Sequence, residues 1–303
     1  MTDTEYAVVD VGSNSLRLMQ GLFRDGAWRF YPKRMATTRL AKDLAETGRL
    51  WPDGIANSLA VMEEWNRELQ GIPVCAVATS AVREAKDGQA FLAEVRWRFG
   101  WQCRVVSGAE EGALGFCGAT SSVKDDRLVA VLDIGGGSTE TTLGKNGHVT
   151  WSHSYPLGAV RLTGSETIGP EDIDVMRQRC DRAWLRQPAK PEILIGVGGT
   201  LTSLAAIDAA MEVYDPQRVE GYVLQKDDVS RHLRRLVAMS DDDRRRVPGL
   251  MPQRCIIILA GLVIAESYME HYGINEITVS EQDLLEGVFY KQAFYDACRI
   301  YQP

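Results

Sequence analysis

Near its start the chain reads Ala7-Val8-Val9-Asp10-Val11-Gly12-Ser13-Asn14-Ser15, and about 120 residues later it reads Ala130-Val131-Leu132-Asp133-Ile134-Gly135-Gly136-Gly137-Ser138. In each copy an apolar run ends in an Asp, a Gly follows two positions on, and a Ser five positions on. Each copy continues into a second apolar run, a turn (Asp25-Gly26; Asn146-Gly147) and a third run. Such a pattern predicts a three-stranded meander twice over. The spacing is too long for a solenoid repeat, so it predicts a duplicated α/β fold of two similar domains facing each other. The division falls in the polar stretch near 121–126, giving domains of 1–124 and 125–284.

The rest of the chain supplies the helices and strands of two such domains. Apolar residues at helical spacing predict a helix over Asp53–Leu69, and helices are also expected over 81–99, 108–119, 159–165, 170–186, from the Gly198-Gly199-Thr200 junction to Met211, and over 226–239, 252–272 and 281–301. Short buried strands are expected at 73–78, 103–106, 193–197 and 276–279. The longest apolar run, Cys255 to Ala265, spans 11 residues. A membrane span needs roughly 20, so this run predicts a buried core helix and no membrane partner. The opening Met1-Thr2-Asp3-Thr4-Glu5 is acidic and predicts no signal peptide. Six cysteines stand singly, with no Cys-x-x-Cys pair, as in a reduced cytoplasmic protein. The four histidines form no close ligand pair, which weighs against zinc.

Charge narrows the partners. The formal net charge of −7 resides wholly in residues 125–303, since residues 1–124 carry equal numbers of acids and bases. An acidic half weighs against a binder of nucleic-acid duplexes, which needs a broad basic face. Five basic residues between Arg29 and Lys42, with no acid among them, form either a solvated strand edge or a local rim that attracts anions.

The two Asp-x-Gly turns would meet across a cleft. An Asp at a strand end suits Mg²⁺ held through water, and glycines let backbone approach a phosphate closely. One copy alone would read equally well as a tight hairpin. The seventh position after the Asp is Arg17 in the first copy and Glu140 in the second, a cation and a carboxylate. Each alone reads as a surface residue on a hairpin strand; together they suit a site for phosphate and metal. Ser107 and Glu110 stand at capping-box spacing, which gives Glu110 a structural task. Glu111 is left roughly a hundred degrees round the helix, free to act as a base or to serve as a solvent-facing partner of the helix dipole. By spacing alone the two stand level. The junctions at Thr79–Arg83, Leu157–Arg161 and Gly196–Thr200 each could take a phosphate, and each is weak by itself.

Six of these motifs follow in order: Asp10-Val11-Gly12-Ser13-Asn14-Ser15, Ala78-Thr79-Ser80-Ala81-Val82-Arg83, Ser107-Gly108-Ala109-Glu110-Glu111, Asp133-Ile134-Gly135-Gly136-Gly137-Ser138-Thr139-Glu140, Leu157-Gly158-Ala159-Val160-Arg161-Leu162 and Gly198-Gly199-Thr200. Together they resemble the exopolyphosphatase and guanosine pentaphosphate phosphohydrolase family over nearly the whole chain. The resemblance implies a duplicated actin-like fold of the sugar kinase and Hsp70 type, with ribonuclease H-like domains around a cleft and the last helix, about 285–303, packed back on the first domain. It implies a cytoplasmic hydrolase, linked to the stringent response, that removes terminal orthophosphate from polyphosphate or guanosine pentaphosphate with Mg²⁺; a homodimer is left open. By motif position Glu111 and Glu140 match catalytic carboxylates, and Asp10, Asp133 and Glu140 match the metal shell. Asn14, Ser15, Arg17, Arg83, Gly136, Gly137 and Ser138 match phosphate-contacting positions. The chain departs from the family at Ile256, where an acid is usual, and at Asp283 and Leu285, where Gly and Arg are common. These three are expected to lie away from the catalytic motifs. A kinase using ATP on the same fold, and a non-enzymatic (p)ppGpp-binding sensor, are the alternatives.

Overall fold

The computed structural model describes residues 4–123, 126–164 and 169–291. Strands β1 (Thr4–Val11) and β2 (Ser15–Arg24) form an antiparallel hairpin, and β3 (Ala27–Phe30) and β4 (Arg34–Thr37) both pair with β2. The single third strand expected after the Asp25-Gly26 turn is thus broken. Pro32 lies in the break, and its missing N–H cannot serve a ladder. On the other side of β1 lie β5 (Val74–Ala78) and β6 (Gln102–Val105), both parallel.

The second sheet repeats the plan. β7 (Val129–Ile134), β8 (Thr139–Lys145) and β9 (His148–Tyr155) form its antiparallel meander. Strand β10 (Ile193–Val197) pairs in parallel with β7, and β12 (Glu276–Val279) with β10. With β3 and β4 taken as one broken third strand, and the short antiparallel edge β11 (Val223–Gln225) left out of the count, both sheets run 3-2-1-4-5; the sequence pattern did not suggest β11. This is the duplicated α/β architecture expected from the repeat.

Period-two alternation assigns the faces. Ala7, Val9 and Val11 pack outward with the helices Pro52–Leu69 and Gly88–Phe99, whereas Tyr6 and Val8 face inward. In β7, Ala130, Leu132 and Ile134 pack outward and Val129 and Val131 inward. Asp10 and Asp133 share the parity of the inward residues, so both carboxylates end on the faces that look toward the other half.

Two helices fill the space between the sheets. Gly108–Ala119 puts Leu114 into the inner core of the first sheet and Phe116 and Ala119 against the second. Leu284–Tyr290 lies on β1 and β2 through Leu284, Leu285, Val288 and Phe289. Phe289 meets Trp28 and Phe30 edge to face, with ring centroids 4.9 and 5.1 Å apart. The two helices cross in backbone contact: a Cβ at Gly118 would collide with the Asp283 carbonyl, and one at Gly287 with that of Leu114.

Other boundaries shift for local reasons. The expected helix over 81–99 divides into Ser80–Glu84 and Gly88–Phe99, with Ala85 in an extended conformation and Gly88 pressed on the Val82 carbonyl. The helix over 252–272 is a short 3₁₀ turn at Pro252–Arg254 followed by Ile258–His271, whose residues from Ile258 to Met269 are all buried. The final helix begins at Leu284 rather than 281, and the expected continuation through 292–303 lies outside the described residues. No described helix is long and apolar enough to cross a membrane.

Candidate active site

The repeat sets the site because the two hairpins share one register. Asp10 pairs with Arg17 across β1 and β2, and Asp133 pairs with Glu140 across β7 and β8. The turns close alike: Gly12 N–H donates to the Ser15 carbonyl at 3.2 Å, and Gly135 N–H to that of Ser138 at 3.0 Å. They also meet. A Cβ on Gly137 would come 2.6 Å from Ser13 Oγ, and one on Gly136 2.9 Å from Ser13 Cβ. Only glycine permits this approach.

A cavity of about 730 Å³ opens beside the meeting point. It is lined by Asp10, Asn14, Ser15, Arg17, Glu111, Asp133, Gly136, Gly137 and Ser138. Nine of the eleven residues singled out in the sequence therefore share one cavity wall. The other two, Arg83 and Glu140, stand behind Glu111. Arg83 Nη1 donates to Glu111 Oε2 and to the Val106 carbonyl, each at 2.9 Å. Glu140 is 2 % exposed and accepts from Ser154 Oγ at 2.6 Å.

The helix that carries Glu111 is built for close approach. Ser107 and Glu110 form the expected capping box: Ser107 Oγ accepts from the Glu110 amide at 3.2 Å, and the Glu110 carboxylate accepts from the Ser107 amide at 3.0 Å. Glu110 also binds Arg104, and these contacts hold its carboxyl below the usual range. A Cβ on Gly112 would lie 2.5 Å from Thr142 Oγ1, so this face sits directly on β8 and β9. Glu111 consequently lies buried near Glu140 and Asp133. Burial first, then these two carboxylates, raise its proton affinity well above the ordinary glutamate value, against the pull of Arg83. A carboxylate of raised pKa facing a cavity can accept a proton from water at neutral pH.

Asp133 is pushed up to about 8 by burial and then by Glu140, with Arg17 opposing. Burial also raises Glu140, against hydrogen bonds from Ser154 and Ser138. Asp10 is raised by burial despite Arg17, whose Nε donates to its Oδ2 at 2.9 Å and whose Nη2 lies 2.8 Å from that oxygen. Its other oxygen, Oδ1, is buried with no hydrogen-bond partner.

These observations fit Mg²⁺. The donors are hard carboxylate oxygens, one is orphaned, and their raised pKa values mark negative charge short of cations. Among the described residues no three His, Cys, Asp or Glu side chains converge as a ready-made cage. Mg²⁺ does not need one, because it keeps several waters and takes one or two carboxylates.

One expectation is overturned. Asp283 does not lie away from the catalytic motifs: it lines the cavity, and its carboxylate binds Arg17 Nη1 and stands 3.6 Å from Lys33 Nζ. The cause is the helix crossing at Gly118, which brings the N-cap of the last helix onto β2. Leu285, by contrast, is fully buried core. Sequence reasoning also passed over Arg254, which lines the cavity against Gly199 and whose charge burial and Arg17 disfavour, to a pKa of about 10. The Asp283-x-x-Glu286 capping spacing was a readable signal for the first; nothing local marked the second.

Comparison with known proteins adds independent information. A family model described as the Ppx/GppA phosphatase family matches residues 24–295. Exopolyphosphatase 2 of Mycobacterium tuberculosis is 30% identical over 315 aligned residues, covering 95% of this chain and 98% of that protein. The solved structure of the Aquifex aeolicus PPX-GPPA enzyme is 30% identical, covers 96% of this chain and 100% of its own, and superposes with a TM-score of 0.81. An exopolyphosphatase structure from Cytophaga hutchinsonii, 24% identical over 95% of this chain and 97% of its own, shares the fold with a TM-score of 0.87.

Proposed function

Since the chain belongs to the Ppx/GppA phosphatase family, we propose that it is a cytoplasmic hydrolase releasing terminal orthophosphate from inorganic polyphosphate. The observation that carries the reading is Glu111: a buried carboxylate of raised proton affinity, on the cavity wall beside both Asp-Gly turns. A pure binder of (p)ppGpp would need no such group.

In the proposed reaction Glu111 takes a proton from a water that attacks the terminal phosphorus; the bridging P–O bond breaks, and orthophosphate and a chain one phosphate shorter leave. Arg83 holds Glu111 in place, and Glu140, fixed by Ser154, keeps the local field negative so that Glu111 stays basic. The turn residues Asn14, Ser15, Gly136, Gly137 and Ser138 receive the phosphate oxygens, and Arg17 offsets their charge. Asp10 and Asp133, with Glu140 behind them, would hold Mg²⁺, which when bound supplies charge neutralisation at the phosphoryl oxygens.

The cavity is finite, and acids outnumber bases in the second half of the chain. Polyphosphate of short to medium length is therefore the favoured substrate. Guanosine pentaphosphate is a second candidate, because Tyr31, Met35 and Tyr214 give the same cavity an apolar, aromatic side that a base could stack on.

The test is orthophosphate release from polyphosphate of defined lengths and from guanosine pentaphosphate, in parallel, with and without EDTA. Mg²⁺-dependent release, most efficient per chain end on short chains, is expected. ATP-dependent transfer to an acceptor without phosphate release would favour a kinase. Turnover in excess chelator would remove the metal.

A further inference from the structure

Arg17 carries five N–H donors in a planar fork, and its value to a phosphate lies in presenting two of them side by side. In this structure the fork is taken. Nε donates to Asp10 Oδ2, Nη2 lies 2.8 Å from the same oxygen, and Nη1 donates to Asp283. Lys33, the neighbouring cation on the cavity wall, is held by Glu286 at 2.9 Å, by Asp283 and by the Glu281 carbonyl. The first-domain wall thus presents Arg17 and Lys33 to a polyanion with three carboxylates already on them; Arg34, which also lines the cavity, is paired with Glu68.

Of these three, Asp10 belongs to the repeat and Glu286 is engaged in capping, accepting from the Asp283 amide at 2.9 Å. Asp283 and Glu286 both come from the last helix and share its cap, but only Asp283 also reaches Arg17. Its Oδ1 accepts from the Leu285 amide at 3.0 Å, and Oδ2 reaches across to Arg17. Its backbone is pinned where the last helix crosses Gly118. The carboxylate is buried and fixed, and it sits where an anion drawn to Arg17 and Lys33 would sit.

We propose that Asp283 is a built-in competitor for the substrate's phosphates, occupying Arg17 and Lys33 until a phosphate displaces it, and so a residue that sets affinity and chain-length preference. The proposal rests on the reading of the cavity as a phosphate site. Arg254 gives an incoming anion a first contact, since it lines the same cavity and makes no ion pair among the described residues. Any phosphate chain, tripolyphosphate included, then gains Arg17 and Lys33 only by evicting Asp283, and a longer chain has more contacts left to offset that cost.

The experiment titrates inorganic tripolyphosphate, with Mg²⁺, into the protein by calorimetry, using a Glu111→Gln background to block turnover. Asp283→Asn and Asp283→Ser keep an oxygen for the Leu285 amide and remove the charge; Asp283→Glu keeps the charge. Release of one charge-assisted contact predicts about tenfold tighter binding for the Asn and Ser variants, and no such gain for Glu. In the Glu111 background restored to wild type, KM for polyphosphate should fall in the same two variants. A residue that merely caps a helix would leave affinity unchanged or weaken it. Equal or weaker binding by Asn and Ser, in protein whose thermal melt remains cooperative, overturns the proposal. Tighter binding without orthophosphate release from any polyphosphate would uphold it while rejecting the hydrolase reading.

Discussion

The two hairpins match in sequence and register and carry opposite charge logic. In the first, Asp10 faces Arg17, and the pair is extended by Asp283 and Lys33. In the second, Asp133 faces Glu140, and Glu111 comes down on them from the glycine-lined helix. One residue at one register position, Arg or Glu, makes the difference. The first wall is compensated and suited to hold anions. The second is acidic, with proton affinities pushed upward, and suited to a base and a cation. A fold that closes two identical turns on each other gains a reactive centre only when the copies diverge in this way.

The comparison can be broken most sharply at Glu111. Replacing it by Gln keeps its size and the Arg83 contact but removes the proton acceptor. Orthophosphate release should fall by roughly 10²–10⁴-fold, as for a lost general base, with the fold retained. A variant with near-normal rate would move the base elsewhere.

The equivalent positions Arg17 and Glu140 should respond with opposite signs. Arg17→Gln strands Asp10 in the interior and leaves Asp283 only Lys33 and the Leu285 amide, at a cost of roughly 3 kcal/mol, the lower end for a broken buried pair. Glu140→Gln relieves a crowded acid and keeps the Ser154 contact, so it should raise stability at pH 8 while lowering activity. The pH profile follows from Asp133. Its pKa rises from 3.8 to about 8 on folding. The folded state therefore holds the proton more tightly, and stability falls as pH rises from about 4 through about 8. In Glu140→Gln that slope should flatten, and Mg²⁺ should oppose it in the wild type. Chemical melts across pH, with and without Mg²⁺, check all three. Destabilisation of both variants would mean the second wall is as well compensated as the first.

The smallest effect belongs to Glu110. Glu110→Gln should cost some stability through the cap and the Arg104 contact and little rate. The reverse ranking of Glu110 and Glu111 would show the capping assignment to be wrong.

The fold, and nine of the residues that line the cavity, could be read because the repeat is local. Seven residues separate each Asp from its cross-strand partner, so register alone predicts that pairing, and the Ser107–Glu110 cap fixes which glutamate is free. Asp283 and Arg254 could not be read that way. They reach the cavity through the crossing of two helices at Gly118 and Gly287 and the approach of a 3₁₀ turn to Gly199, contacts with no sequence period. The division of the third strand and the short edge β11 escaped for a similar reason, since each is only three or four residues long.

The central claim is that water, activated by Glu111, attacks the terminal phosphorus. It is tested most directly by turnover of polyphosphate in ¹⁸O-water, with mass spectrometry of the released orthophosphate. One labelled oxygen per phosphate, at a rate that collapses in Glu111→Gln, is predicted. Orthophosphate released without label, or labelled at an undiminished rate in Glu111→Gln, would contradict it.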